Sequence, residues 1–196
     1  MKEKSPISPD KRTWSPSPLA GQVVLVTTLN ADGQSNVAPK SSISMMAFDP
    51  ALLALGCNLG HWTARNILRT GEFVVNFPSD DLAPAVWRCH QLPHPRPIEA
   101  LGLTARPAQA VNPPLVEECR AHLECVLFQE HSFGSEVVFF GIIVAGSIDR
   151  EALAAPDPYA YLRPLVFLEN GTYGVIEGAR VLPATGGTER RSEGTR

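Results

Sequence analysis

The 196-residue chain is 44% hydrophobic and 19% charged, with a formal net charge of −3. That balance excludes a largely disordered chain and offers no basic field to a phosphodiester backbone. No apolar run approaches the ~18–20 residues of a membrane span, so neither a nucleic-acid nor a membrane partner is expected, and the length suits one ordinary domain with its own core.

Residues 1–18 repeat Ser-Pro at 5–6, 8–9, 15–16 and 17–18. Proline removes the amide donors that regular structure needs, so this stretch reads as a leader to a main domain over residues 19–182. It is polar where a signal peptide is apolar, which fits a cytoplasmic protein. A β-rich run from residue 22 to Leu29, the turn at Ala31-Asp-Gly33 and a returning arm at Ser35-Asn-Val37 predict the first hairpin. Residues 52–57 read as the next strand, Trp62–Thr70 as a helix closed by Gly71, and Glu72–Phe77 as a strand stopped by Pro78. A second helix is expected over 81–89, capped by Ser79 or Asp80, before a loop broken by Pro93, Pro95 and Pro97 that is a candidate lid.

Further on, 123–128 and 137–145 predict a long hairpin around Ser132-Phe-Gly-Ser135. Its second arm is apolar on both alternating faces. A barrel interior would cover one face, and a packed helix or a second copy of the chain the other; a homodimer is the expectation. Residues 164–169, the Asn170-Gly171 turn and 172–176 predict a last hairpin, and 183–196 read as a disordered polar tail. Many short strands with few helices point to a small barrel.

The four cysteines, Cys57, Cys89, Cys119 and Cys125, are read as reduced thiols. Cys119-x-x-His122-x-x-Cys125 has a metal-like spacing, but on a strand His122 faces away from both cysteines, so no metal site is expected. The chain has no Gly-x-Gly-x-x-Gly turn, no Walker A loop and no Gly-x-Ser-x-Gly elbow, which leaves a tightly held organic cofactor as the better source of chemistry. Residues 36–50 combine small side chains with a proline that let the backbone approach a flat ligand. On a helix starting near Trp62, Thr63 and Asn66 lie three apart and His61 and Arg65 four apart. Hydroxyl, amide and cationic groups would then converge on an anion-favouring helix end.

Asn36-Val-Ala-Pro-Lys-Ser41, Phe48-Asp-Pro50, Thr63-Ala-Arg-Asn-Ile67 and Thr70-Gly-Glu-Phe-Val-Val-Asn76 occur in that order, followed by Glu99-Ala-Leu-Gly-Leu-Thr104 and a segment from Val111 to Cys119. As an ordered set over residues 22–177 they resemble the flavin reductase-like, FMN-binding split-barrel family. The resemblance implies a mainly β fold, a Greek-key antiparallel split barrel with a few peripheral helices. It implies FMN, with FAD as the alternative, held by backbone contacts from Ala38, Pro39, Lys40 and Ser42 and by the Ser41 hydroxyl near the ring's polar edge. Cys57 and Asn58 would lie on the neighbouring strand end, and His61, Thr63 and Asn66 would hold the ribityl phosphate.

The same resemblance implies a flavin reductase that takes hydride from NAD(P)H as a transient donor, needs no protein acid or base, and serves an oxygenase or other redox partner. A flavin-storing or electron-relaying module is the alternative, and a split barrel holding haem or a deazaflavin a third reading. Two positions depart from the family pattern. His61-Trp62 stands where related chains have Lys-Asp, placing a group that titrates near neutrality beside the phosphate. Gly134-Ser135-Glu136 stands where reductases carry Gly-Asp-His, which weakens nicotinamide binding unless His131 substitutes.

Overall fold

The computed structural model describes residues 2–169 and 171–180; Asn170 of the last turn and the tail expected over 183–196 lie outside them. After Gly21–Gln22 (β1), the strands Val24–Leu29 (β2) and Ser35–Lys40 (β3) form the expected hairpin, with Gly33 in the left-handed conformation at φ 81°. Within the segment 36–50, expected to approach a flat ligand, Ile43–Phe48 (β4) is a strand, and it pairs with Ala51–Asn58 (β5). Trp62–Thr70 (α1) and Glu72–Phe77 (β6) fall on their expected bounds. Gly71, at φ 71°, closes α1 by donating its N–H to the carbonyl of Ile67.

The second helix is shorter than expected. A 3-10 turn at Asp80–Leu82 precedes Ala83–Arg88 (α2), whose early proline suits a helix start. Ser79 does not cap it: its hydroxyl donates to the Asp81 carboxylate and accepts from Arg120 Nε at 3.0 Å. Short pairs Ala105–Arg106 (β7) and Leu115–Val116 (β8) follow. The long hairpin is Ala121–Phe133 (β9) with Glu136–Ile148 (β10), and the last elements among the described residues are Arg150–Ala154 (α3), Pro158–Leu162 (α4), Leu165–Glu169 (β11) and Thr172–Val175 (β12). No helix among the described residues is long and apolar enough to cross a membrane, which leaves membrane-spanning strands unaddressed.

Seven strands form one antiparallel sheet in the order β3-β2-β6-β9-β10-β5-β4. Its two outermost strands are consecutive in the chain and are joined only by Ser41 and Ser42. The three steps from Lys40 to Ile43 span at most ~11 Å, so the sheet is rolled until the end of β3 meets the start of β4, and the seam of the barrel lies in the candidate cofactor segment. Val24, Val26, Leu55, Phe73 and Phe139 fill the interior. A second core, with Leu25, Val37, Val86, Ile98 and Leu165, packs outside the β2–β3 hairpin beneath α2 and the small β1-β11-β12 sheet.

Gly141 on β10 faces the interior, where an added Cβ would lie 2.5 Å from the Phe73 ring. Gly141→Ala is expected to destabilise the fold by about 1–3 kcal/mol, read as a lower denaturation midpoint. An unchanged midpoint would mean that the Phe73 ring has room to move.

The proline-broken loop is not a free lid. Val37 donates its N–H to the carbonyl of Arg96 at 2.8 Å, the Arg96 N–H donates to Asn36 Oδ1 at 3.2 Å, and the Ile98 N–H to Ser35 Oγ at 3.3 Å. Three contacts in a row fasten the loop along β3, the outer edge of the sheet. The leader is likewise anchored at one point, where Ser15 Oγ bonds Glu169 Oε1 at 3.0 Å.

Candidate functional site

Two adjoining depressions share Pro39, Lys40 and His90 and together make one cleft along β3. The first, of about 120 Å³, is lined by Ala38, His61, Thr63, His94 and Arg96 besides the shared residues. The second, of about 100 Å³, is walled by Val23, Ser41, Val86, Phe167 and Tyr173. One end is cationic and the other apolar and aromatic.

At the cationic end, α1 presents its first turn. Thr63 is 1% exposed and its hydroxyl has no hydrogen-bond partner. An unpaired buried hydroxyl beside a helix N-terminus is a costly arrangement unless a ligand completes it. Lys40 Nζ lies 3.1 Å from His61 Nδ1. The ammonium is the donor there, so Nδ1 accepts and the neutral ring keeps its proton on Nε2.

Arg96 is 8% exposed; its Nε donates to the carbonyl of Leu92 at 3.0 Å, and it forms no ion pair among the described residues. No carboxylate lines this end of the cleft. All three imidazoles are held below their ordinary pKa. Burial is the largest cause in each; Lys40 comes next for His61, and Arg96 ahead of Lys40 for His90 and His94, while Glu136 opposes the shift at His61. Two fixed cations, three titratable rings, a free hydroxyl and a helix end are gathered here, a set of groups chemically suited to a compact dianion.

The aromatic end suits a flat ring. Phe167 and Tyr173 meet edge to face with centroids 5.7 Å apart, and Trp87 braces Tyr173 from behind at 6.4 Å. Close backbone approach at the seam requires Gly21, where an added Cβ would lie 2.3 Å from the Ser41 carbonyl oxygen.

Of the residues singled out in the sequence, Ala38, Pro39, Lys40, Ser41, His61 and Thr63 come together in this cleft. Four others are placed elsewhere. Asn66 is buried and its amide donates to Thr28 Oγ1 and Asn30 Oδ1, both at 2.9 Å, so it ties α1 to the first hairpin instead of facing an anion. Asn58 bridges Gly60 N and Glu136 Oε1, which fixes the tip of the long hairpin against the end of β5 and the turn that precedes α1. Ser42 is exposed and its carbonyl accepts from Gly56. Cys57 is 6% exposed and sits in the barrel core, with Sγ 3.8 Å from His61 Nδ1.

Arg65, expected near the helix end, lies over the Trp62 ring at 5.8 Å. Of the zinc-like group, His122 bonds Ser147 Oγ at 3.0 Å and the carbonyl of Val116 at 2.9 Å, and all four cysteines are free and buried.

His90, His94 and Arg96 were missed as site residues. Their signal was present: the stretch 83–98 contains no Asp or Glu but does contain two histidines and two arginines.

A model of the flavin reductase-like domain matches residues 17–175. Among curated relatives, an uncharacterized protein of Pyrococcus abyssi is 25% identical over 125 residues, 64% of this chain and 73% of the relative. Several other curated relatives are matched over only 50% to 63% of their own length. Among solved structures, nitrilotriacetate monooxygenase component B from Bacillus cereus superposes with TM-score 0.80 at 23% identity, covering 93% of this chain and 100% of that one. The 2-nitrobenzoate 2-nitroreductase of Pseudomonas fluorescens gives 0.76 at 25% identity, covering 94% and 91%. A split-barrel-domain protein from Shewanella frigidimarina gives 0.76 at 19% identity, covering 85% and 87%. The barrel with its seam at Ser41–Ser42 is the split-barrel fold of these structures.

Proposed function

We propose that this chain, which belongs to the flavin reductase-like domain family, binds FMN in the cleft along β3 and works as an NAD(P)H-dependent flavin oxidoreductase. The observation that carries the reading is the buried, unpartnered Thr63 hydroxyl facing a cationic pocket with no carboxylate. A terminal phosphate dianion is matched by the fixed charges of Lys40 and Arg96, which favours FMN over a flavin whose phosphate is esterified further. When bound, a flavin would supply two-electron redox chemistry, with a reduced nicotinamide as the hydride source.

The residues then have separate tasks. Lys40, Arg96, Thr63 and the first turn of α1 anchor the phosphate; Pro39 and Ser41 offer backbone to the ring's polar edge; Phe167 and Tyr173 wall its apolar side. No side chain is needed as acid or base, so positioning supplies the rate. Glu136, held by Asn58 where reductases of the family carry histidine, leaves donor binding to other groups. Anaerobic addition of NADH and then NADPH to the FMN-loaded protein tests this: bleaching by either is expected. Flavin bands that persist with both would replace the reductase by the relay reading.

A homodimer is part of the proposal. Val126, Phe128 and Val144 are exposed on the outer face of the long hairpin, and Val138, Phe140 and Ile142 are half-buried there, an apolar patch that a second copy would cover. Sedimentation should give twice the 21.2 kDa chain mass, and Phe128→Glu combined with Phe140→Glu should give monomers. A wild-type monomer at micromolar concentration would remove the dimer. Four buried free thiols fit a reducing cytoplasm, and an oxygenase or other redox partner is the proposed acceptor.

A further inference from the structure

A second hollow of about 430 Å³ lies across β1 from the cleft. Gln22 lines it while its neighbour Val23 lines the aromatic end of the cleft, and consecutive residues of an extended segment point to opposite sides. One segment of backbone therefore separates two cavities. Most walls of the second are apolar, Phe77, Leu123, Ile148, Tyr159, Leu162 and Pro164, and the imidazole of His122 that also lines it has both ring nitrogens engaged, by Ser147 Oγ and the carbonyl of Val116.

One wall is α4, which contributes Tyr159 and Leu162 and is tied at both ends. Asp157 Oδ1 caps the helix by accepting from Tyr159 N at 3.0 Å and Ala160 N at 3.2 Å, and Arg163, just past its end, makes a 2.6 Å ion pair with Asp80. The hollow opens to solvent on the side of Tyr159 and Ile148, which are 49% and 42% exposed, and its size falls within the ~300–1,000 Å³ range of small-molecule sites.

One charged side chain, Arg120, lines it. Tyr161 supports the guanidinium from one side at 4.6 Å to the ring centroid, and Nε is committed to Ser79 Oγ. The nearest carboxylate, Asp81, is 3.7 Å away and 62% exposed, a loose, water-screened pair. Arg120 is thus oriented and three-quarters buried while its outer nitrogens keep binding capacity.

We propose that this hollow is a second ligand site, for a small amphipathic carboxylate with an apolar body of one or two rings. The body fills the space between Phe77, Leu123 and Leu162 and the carboxylate pairs with Arg120. The ligand is separated from the flavin cleft by β1, so it binds alongside FMN and does not compete with it. The proposal holds whether or not the cleft carries a flavin.

Calorimetric titration of the full-length protein with 2-naphthoate, with and without saturating FMN, tests it. Saturable binding of one naphthoate per chain is expected in both states, about tenfold tighter than the neutral 2-naphthalenemethanol. Ala121→Trp, which fills the hollow from β9, should abolish binding of both ligands. Leu162→Trp blocks the same space from α4 and serves if the first variant does not fold. Arg120→Met should bring naphthoate down to the neutral ligand. The proposal is overturned by absence of saturable binding into the millimolar range, by displacement of naphthoate with FMN, or by unchanged affinity in the folded blocking variants.

Discussion

Arg96→Met is expected to weaken FMN binding by about 10- to 100-fold and to leave the ligand-free protein at least as stable as the wild type. The two effects have one cause. An arginine that is 8% exposed as a residue, with one internal hydrogen bond through Nε and no ion pair among the described residues, holds its charge partly out of water without a compensating partner in the free protein. Methionine keeps the apolar stem packed and removes that cost. It also removes one of the two fixed cations that face the anion.

Thermal denaturation with and without FMN reads both effects at once: an unchanged or raised midpoint alone, and a reduced shift on adding FMN. Riboflavin, which lacks the phosphate, should bind variant and wild type alike. A variant that loses ligand-free stability yet keeps its full FMN shift would make Arg96 a structural residue and sink the anion site. Backbone fixation is not at risk, because the loop is held by main-chain groups of Arg96 and by Asn36, Val37 and Ser35, which the substitution leaves in place.

What the sequence made legible was local. The hairpin at Gly33, the helix closed by Gly71 and the strand stopped by Pro78 each carry their own start and stop chemistry, and each lies where the pattern placed it. β4 escaped because its Ser-Met-Met-Ala run alternates weakly and leaves Met45 and Met46 half exposed. The site was legible only as a set of donors. Nothing in Thr63-Ala-Arg-Asn-Ile67 distinguishes the hydroxyl that is left free from the amide that is engaged: Asn66 finds Thr28 and Asn30, 38 and 36 residues away in sequence, whereas Thr63 finds none. Likewise Arg96 reaches the cleft because Asn36, 60 residues earlier, holds its backbone. Long-range partners of this kind are set by how the sheet closes, which residue spacing does not encode.

Affinity for FMN is expected to rise as the pH falls from about 8 toward about 6, and to level or turn down where the phosphate takes up its own second proton near ~6. In the free protein His61, His90 and His94 all sit below 6.5, chiefly by burial and then through Lys40 or Arg96. They are therefore neutral at neutral pH. A dianion placed among them favours the imidazolium form, so binding takes up protons, and each proton contributes up to about one log unit of affinity per pH unit.

The stability of the ligand-free protein runs the other way. A histidine whose folded pKa is depressed contributes stability above its unfolded value of 6.5 and loses it as the pH drops through the folded value, because the unfolded chain then binds more protons. The shift in denaturation midpoint caused by FMN should consequently widen on acidification, even as the midpoint without ligand declines. His61→Gln keeps a polar side chain beside Lys40 but cannot titrate, so its affinity profile should be flatter by one proton's share. Riboflavin should give a flat profile with either protein. If the His61→Gln variant retained the wild-type slope with FMN, His61 would not be the titrating contact, and His90 and His94 alone would have to account for the proton uptake.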